Sequence, residues 1–205
     1  MSEKNENKTT TSEKVTGFLE NNVKVLIVIC VVVLLGIVAF ACIDSVIGKQ
    51  GEKTVALVDE ISFALTDGSA ELDDAALKAR RSDAMTKLEP VLSKGGIGGV
   101  RANMLAADIA FQNEDFEASM NYWSAVAVKG KKYYTAPLAN YNAGVCAENC
   151  GKTEEAAEFY KKAAENEDFL MKAHAAFSYG RTLEVLGKTE EAVAAYEKLV
   201  ADSAD

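Results

Sequence analysis

The chain has 205 residues, a net charge of −9, two prolines and one histidine. That length leaves room for one modest folded domain beside a tail and a membrane segment. Residues 44–205 hold 18 basic and 27 acidic side chains, a field that repels DNA and RNA, so no nucleic-acid partner is expected.

The first 22 residues read as a polar tail, with four lysines balanced by four glutamates up to residue 43. Residues 25–43 then run without a charge or strong polar group, bracketed by Lys24 and Asp44. At ~1.5 Å per residue this run spans roughly 28 Å, close to the hydrocarbon thickness of a bilayer. Every helical face of it is apolar, whereas a buried core helix keeps a polar stripe. The segment 23–47 is therefore expected to be a transmembrane helix.

Two processing readings compete with a retained anchor. A secretory signal also joins a basic start to an apolar stretch, but this run is long for one. Ala39-Phe40-Ala41-Cys42 resembles a loose lipoprotein cleavage box, against which stand the long polar lead and the missing leucine three before the cysteine.

Orientation is weakly coded, since Lys14 and Lys24 on one side face Lys49 and Lys53 on the other. A short tail, one apolar helix and a long C-terminal domain is the usual layout of an anchor whose domain is exported. Cys146 and Cys150 pull the other way. Four apart on a helix they are poorly placed for a disulfide, and two free thiols suit a reducing compartment or an anaerobic source.

Residues 48–99 show helical spacing over 52–66 (Val55, Val58, Ile61, Leu65) and 72–93 (Leu77, Met85, Leu88, Leu92), without a repeat signature. They are expected to form a degenerate, membrane-proximal hairpin. The following Gly95-Gly96-Ile97-Gly98-Gly99 lacks a dinucleotide fingerprint and reads as a flexible loop and hinge.

Residues 100–205 carry the clearest internal repeat. Gly151-Lys152-Thr153-Glu154-Glu155-Ala156 recurs unchanged 36 residues later as Gly187-Lys188-Thr189-Glu190-Glu191-Ala192. Gly144, Tyr160 and Ala163 likewise map to Gly180, Tyr196 and Leu199. An earlier copy runs over 100–128, with Ala107, Ser119 and Trp123 at the matching places and Glu114-Asp115-Phe116 at the turn. This spacing resembles the tetratricopeptide repeat, with a small residue at position 8, glycine at 15, alanine at 20, an aromatic at 24 and alanine at 27. The fold class that follows is all-α: a transmembrane helix and then a short solenoid of antiparallel helical hairpins. The small residues should let paired helices approach, the glycine should end the first helix in a left-handed turn, and Thr153 and Thr189 should serve as N-caps.

The arrangement of short tail, single anchor and divergent repeats also resembles the bacterial family of ancillary Sec-translocon subunits. That likeness implies an inner-membrane protein with a periplasmic domain that works beside periplasmic chaperones on exported proteins. Docking a solute-binding protein at a transporter, and coordinating envelope assembly or division, are the competing readings.

No catalytic, cofactor or metal site is expected. The Gly151-Lys152-Thr153 triplet lacks both the second glycine and the preceding strand of a phosphate loop. His174 is the only histidine, and nothing activates Cys146 or Cys150 as a nucleophile. Partners should be other proteins, with no small-molecule substrate. In the repeat family the concave lining comes from positions 2, 5, 9, 12 and 13 of each first helix. Here those positions include Arg101, Met104, Asp108, Phe111, Tyr141, Val145, Glu148, His174, Phe177 and Arg181. Repeats that clamp a C-terminal carboxylate use Lys and Asn at positions 5 and 9. The pairs Met104/Asp108, Tyr141/Val145 and Phe177/Arg181 do not, which favours apolar anchoring by Met104, Phe111 and Tyr141.

Overall fold

The computed structural model describes residues 11–202; at some positions within 11–47, Cys30, Cys42 and Ala41 among them, it describes the backbone only. Eight α-helices follow in order: α1 (Thr11–Thr66), α2 (Asp74–Leu92), α3 (Gly96–Gln112), α4 (Phe116–Lys129), α5 (Thr135–Asn149), α6 (Thr153–Ala164), α7 (Lys172–Val185) and α8 (Thr189–Asp202), with a short 3-10 turn at Ser69–Glu71. No strand occurs among the described residues. The chain divides into two units, residues 1–49 and 50–205, and α1 contributes to both.

In the first unit α1 leaves helical geometry at Asn22, whose side-chain amide donates back to the Phe18 carbonyl at 2.8 Å. The stretch Asn22–Phe40 is long and apolar enough to cross a membrane. Its described aliphatic side chains, from Val25 to Val38, all lie exposed.

In the second unit α3 pairs with α4, α5 with α6 and α7 with α8, each hairpin stacking on the next. A main core joins Val100, Ala107, Trp123, Val126, Ala143, Cys146 and Tyr160 across two hairpins. Close approach depends on missing side chains. A Cβ added to Gly144 would come 2.7 Å from the Tyr160 ring, and one on Gly180 would come 2.5 Å from the Tyr196 ring. The aromatic at position 24 therefore lies flat on the backbone of position 8, as the repeat spacing predicts.

The turns follow the same rule. Gly151 (φ +70°) and Gly187 (φ +71°) are left-handed, and the amides of Gly151 and Lys152 donate to the carbonyls of Glu148 and Ala147, closing a Schellman motif. The first copy makes an identical motif without glycine. Glu114 takes φ +60°, and the amides of Glu114 and Asp115 reach Phe111 and Ala110. Asp115 then caps α4 by accepting from the Ala118 amide at 3.0 Å.

Two local expectations are corrected. Thr153 is the first helical residue of α6, after Lys152, and no side chain caps that end; the first-turn Glu154 and Glu155 face the helix dipole instead. The glycine run 95–99 is not a flexible loop, because Gly96–Gly99 form the opening turn of α3. Gly98 and Gly99 are buried there, and a Cβ would meet Thr54 of α1 at 2.8 Å in the first case and the Lys94 carbonyl at 1.8 Å in the second. Asn103 donates to the Leu92 and Gly99 carbonyls, and Lys129 to those of Leu92 and Lys94. The end of α2 is thereby pinned to α3 and α4. A hinge needs free backbone, and these carbonyls are held.

The pair α1/α2 packs differently from the repeats. Val58 and Ile61 of α1 and Leu88 of α2 meet Ala102, Ala106 and Ile109 of α3 in a second core. Branched and long side chains of α1 and α2 (Val58, Ile61, Leu88) fill this interface against the small Ala102 and Ala106 of α3.

Candidate functional site

The first helices of the hairpins present the predicted lining, and the structure sorts it into three kinds of residue. Several charged members are already engaged. Both guanidinium nitrogens Nη1 and Nη2 of Arg101 donate to the carboxylate of Asp59 on α1. Glu148 Oε2 accepts from Tyr160 Oη at 2.6 Å and from Arg181 Nη2 at 2.7 Å. The Tyr160–Glu148 bond recurs one repeat later as Tyr196 Oη to Glu184 at 2.9 Å. Arg181 and Glu148 thus join α7 to α5 across a repeat boundary. Burial and the Glu148 carboxylate push the Tyr160 hydroxyl well above the ordinary tyrosine range.

The apolar members form a graded surface. Met104, Tyr141 and Val145 are half-buried against the main core, and Tyr141 lies between Tyr160 (5.5 Å) and Phe169 (6.4 Å). Phe111 is 40% exposed and packs edge-to-face on Phe116 at 5.2 Å, while Phe177 is 53% exposed above Tyr196 at 5.9 Å. His174 is exposed at the start of α7, with no hydrogen bond or ion pair among the described residues.

Asp108 stands apart. It has no hydrogen-bond or ion-pair partner among the described residues, and burial pushes its carboxyl above the usual range with no cation near enough to pull it back. Its side chain is nonetheless exposed to solvent. Three clefts meet at Asp108: one of about 240 Å³ with Arg101 and Met104, one of about 150 Å³ with Phe111 and Val145, and one of about 450 Å³ toward α2.

The structure brings Arg101, Met104, Asp108, Phe111 and Val145 to these adjoining clefts. Glu148 and Arg181 go instead to an internal ion pair, and His174 and Phe177 lie farther along. Sequence spacing misses Asn142 and the buried Trp123 and Cys146, which line the second cleft, and Ile97, Tyr134 and Thr135, which line the first. The motif positions could have pointed to Asn142, one residue after Tyr141; Ile97 and Tyr134 belong to the joints between hairpins, where the repeat carries no signal. Cys146 and Cys150 are free, Cys146 is buried, and burial pushes its thiol up.

Hairpins that stack with a common spacing, with first helices lining clefts on one face, define a helical-repeat solenoid, a class built around an extended binding surface for other proteins. The chain belongs to the family of tetratricopeptide repeat-like domains, which matches residues 16–205. It is 28% identical over 113 residues to a TPR repeat-containing protein of Treponema pallidum (strain Nichols), covering 54% of this chain and 47% of that protein. The chain thus spans about half the length of this relative. In fold it resembles the crystal structure of Rap protein complexed with competence and sporulation factor, at a TM-score of 0.50 and 20% identity, over 76% of this chain and 44% of the other.

Proposed function

We propose that the chain is a membrane-tethered adaptor, not an enzyme, whose hairpins hold segments of other proteins. The observation that carries this reading is the exposed apolar lining: Phe111 and Phe177 present ring surface to solvent beside the half-buried Met104, Tyr141 and Val145. Apolar side chains that a fold leaves open beside clefts are the usual anchor points of a protein partner. The exposed aliphatic run of α1 supports a bilayer anchor, since it is long enough to span the hydrocarbon layer and its described aliphatic side chains lie exposed.

The likeness to ancillary translocon subunits supports a bacterial inner-membrane protein with a periplasmic domain, handling exported proteins near the translocon with chaperones. Cross-linking in native membranes tests this. A translocon subunit or chaperone captured by the native chain and lost from Met104→Ala/Phe111→Ala/Tyr141→Ala supports it. Equal capture by the variant contradicts the groove, and capture of a solute-binding protein alone moves the role to a transporter. Sidedness is read from Cys150, half-buried and free, with an impermeant thiol reagent: labelling of intact cells places the domain outside, labelling only after lysis inside.

A further inference from the structure

Resting on that reading of the groove, the chemistry of its occupant can be narrowed. Of the charged residues predicted for the lining, Arg101, Glu148 and Arg181 are neutralised within the chain, and Asp108 alone has no counter-charge among the described residues. A second polar group of the same cleft is also unsatisfied. Thr135, at the start of α5, is 2% exposed, and its hydroxyl, set against Gly130, has no hydrogen-bond partner among the described residues. Thr135 and Asp108 line the same cleft of about 240 Å³, whose other walls include Met104, Leu105 and Ile97. Tyr134, 84% exposed, stands at the same cleft.

We infer that this cleft receives a basic side chain, lysine or arginine, of a partner polypeptide, with the charged end on Asp108 and the aliphatic stem along Met104 and Leu105. Two physical points converge on that occupant. Asp108 is exposed at the cleft and its carboxylate has no donor among the described residues, so an entering cation meets an unpaired opposite charge. Long basic side chains lay their methylenes on apolar walls while the head group finds charge. Arg101 also lines the cleft, but its pairing with Asp59 removes it as a repelling charge. An acidic side chain in this cleft would meet the like charge of Asp108.

The test uses the full chain in lipid nanodiscs and a short fluorescent peptide of Gly and Ser carrying one Lys between two Leu, with counterparts in which norleucine or Glu replaces the Lys. The native chain should bind the Lys peptide about tenfold more tightly than the norleucine peptide, the scale of one charge-assisted hydrogen-bonded contact. Asp108→Asn should abolish that preference and leave norleucine binding unchanged. Asp108→Lys should transfer the preference to the Glu peptide, a reversal that loss of folding cannot produce. A Lys preference that survives in Asp108→Asn, or that is missing in the native chain, overturns the inference. Binding of all peptides that is lost in Met104→Ala/Phe111→Ala but indifferent to Asp108 keeps the groove and removes the cationic anchor. Binding indifferent to both variants, or no binding, removes the groove as well.

Discussion

The ring of Tyr160 rests on the backbone of Gly144, so that a Cβ at 144 would lie 2.7 Å from its Cε1. One contact thus couples the two helices of a hairpin, and the next repeat duplicates it with Gly180 and Tyr196. Alanine is the better helix former by up to ~1 kcal/mol, but here it must push a fully buried ring. Overpacking of this kind costs about 1–3 kcal/mol. Gly144→Ala should therefore lower the thermal midpoint of the chain, read by circular dichroism, while Gly48→Ala, where a Cβ meets nothing within 4 Å, should not.

Glu114 carries the left-handed turn that Gly151 and Gly187 carry in the other copies. Left-handed backbone costs an L-residue roughly 1–2 kcal/mol, and glycine gives back part of that as chain entropy. Glu114→Gly should stabilise the chain by about 0.5–1 kcal/mol, seen as a higher denaturant midpoint at constant slope. Destabilisation would show that the Glu114 side chain contributes something beyond the turn.

Tyr160 gives a pH signature. Its folded pKa is raised, first by burial and then by Glu148, so the unfolded chain loses the phenolic proton first. The stability associated with it is fully present below the unfolded value of about 10 and is lost as pH climbs above that. Tyr160→Phe should be about 1 kcal/mol less stable at neutral pH, for one hydrogen bond to a carboxylate that Arg181 still holds. It should also show a shallower alkaline decline than the native chain. Identical declines in urea melts above pH 10 would contradict the assignment.

Phe111 is a groove residue whose removal should disturb the fold little, since its ring is substantially exposed and packs edge-to-face on Phe116. Phe111→Ala should keep the native melting profile within about 1 kcal/mol. As an anchor its loss should weaken partner binding by about 2 kcal/mol or more. Stability and binding that fall together would assign Phe111 to packing.

The residues that repeat at a fixed offset announced the hairpins, because Gly144, Gly151, Ala156 and Tyr160 each meet a steric demand that few side chains satisfy. Where a demand is met by an unusual residue, the pattern goes silent: Glu114 makes the same turn without glycine. Gly98 and Gly99 show the opposite failure. Glycines that permit close packing of α3 on α1 and on the end of α2 look in sequence like glycines that permit motion, and only the partners Thr54 and Lys94 separate the two. The site was legible in part for a related reason. Helical position placed Met104, Asp108 and Phe111 on one face, but whether a charge is free depends on distant neighbours. Glu148 finds Arg181 33 residues away and Arg101 finds Asp59 42 residues away, which leaves Asp108 unpaired for reasons no local window contains.

The first-helix face of the hairpins is proposed to hold other proteins. The most direct measurement places a photo-crosslinking amino acid at position 111 in the full chain, and as a control at position 128, where Val128 is exposed on α4 away from the clefts beside Asp108. Illumination should yield discrete heavier adducts containing a second polypeptide from position 111 and none from position 128. Equal yields from both positions, or none from position 111, would contradict the claim.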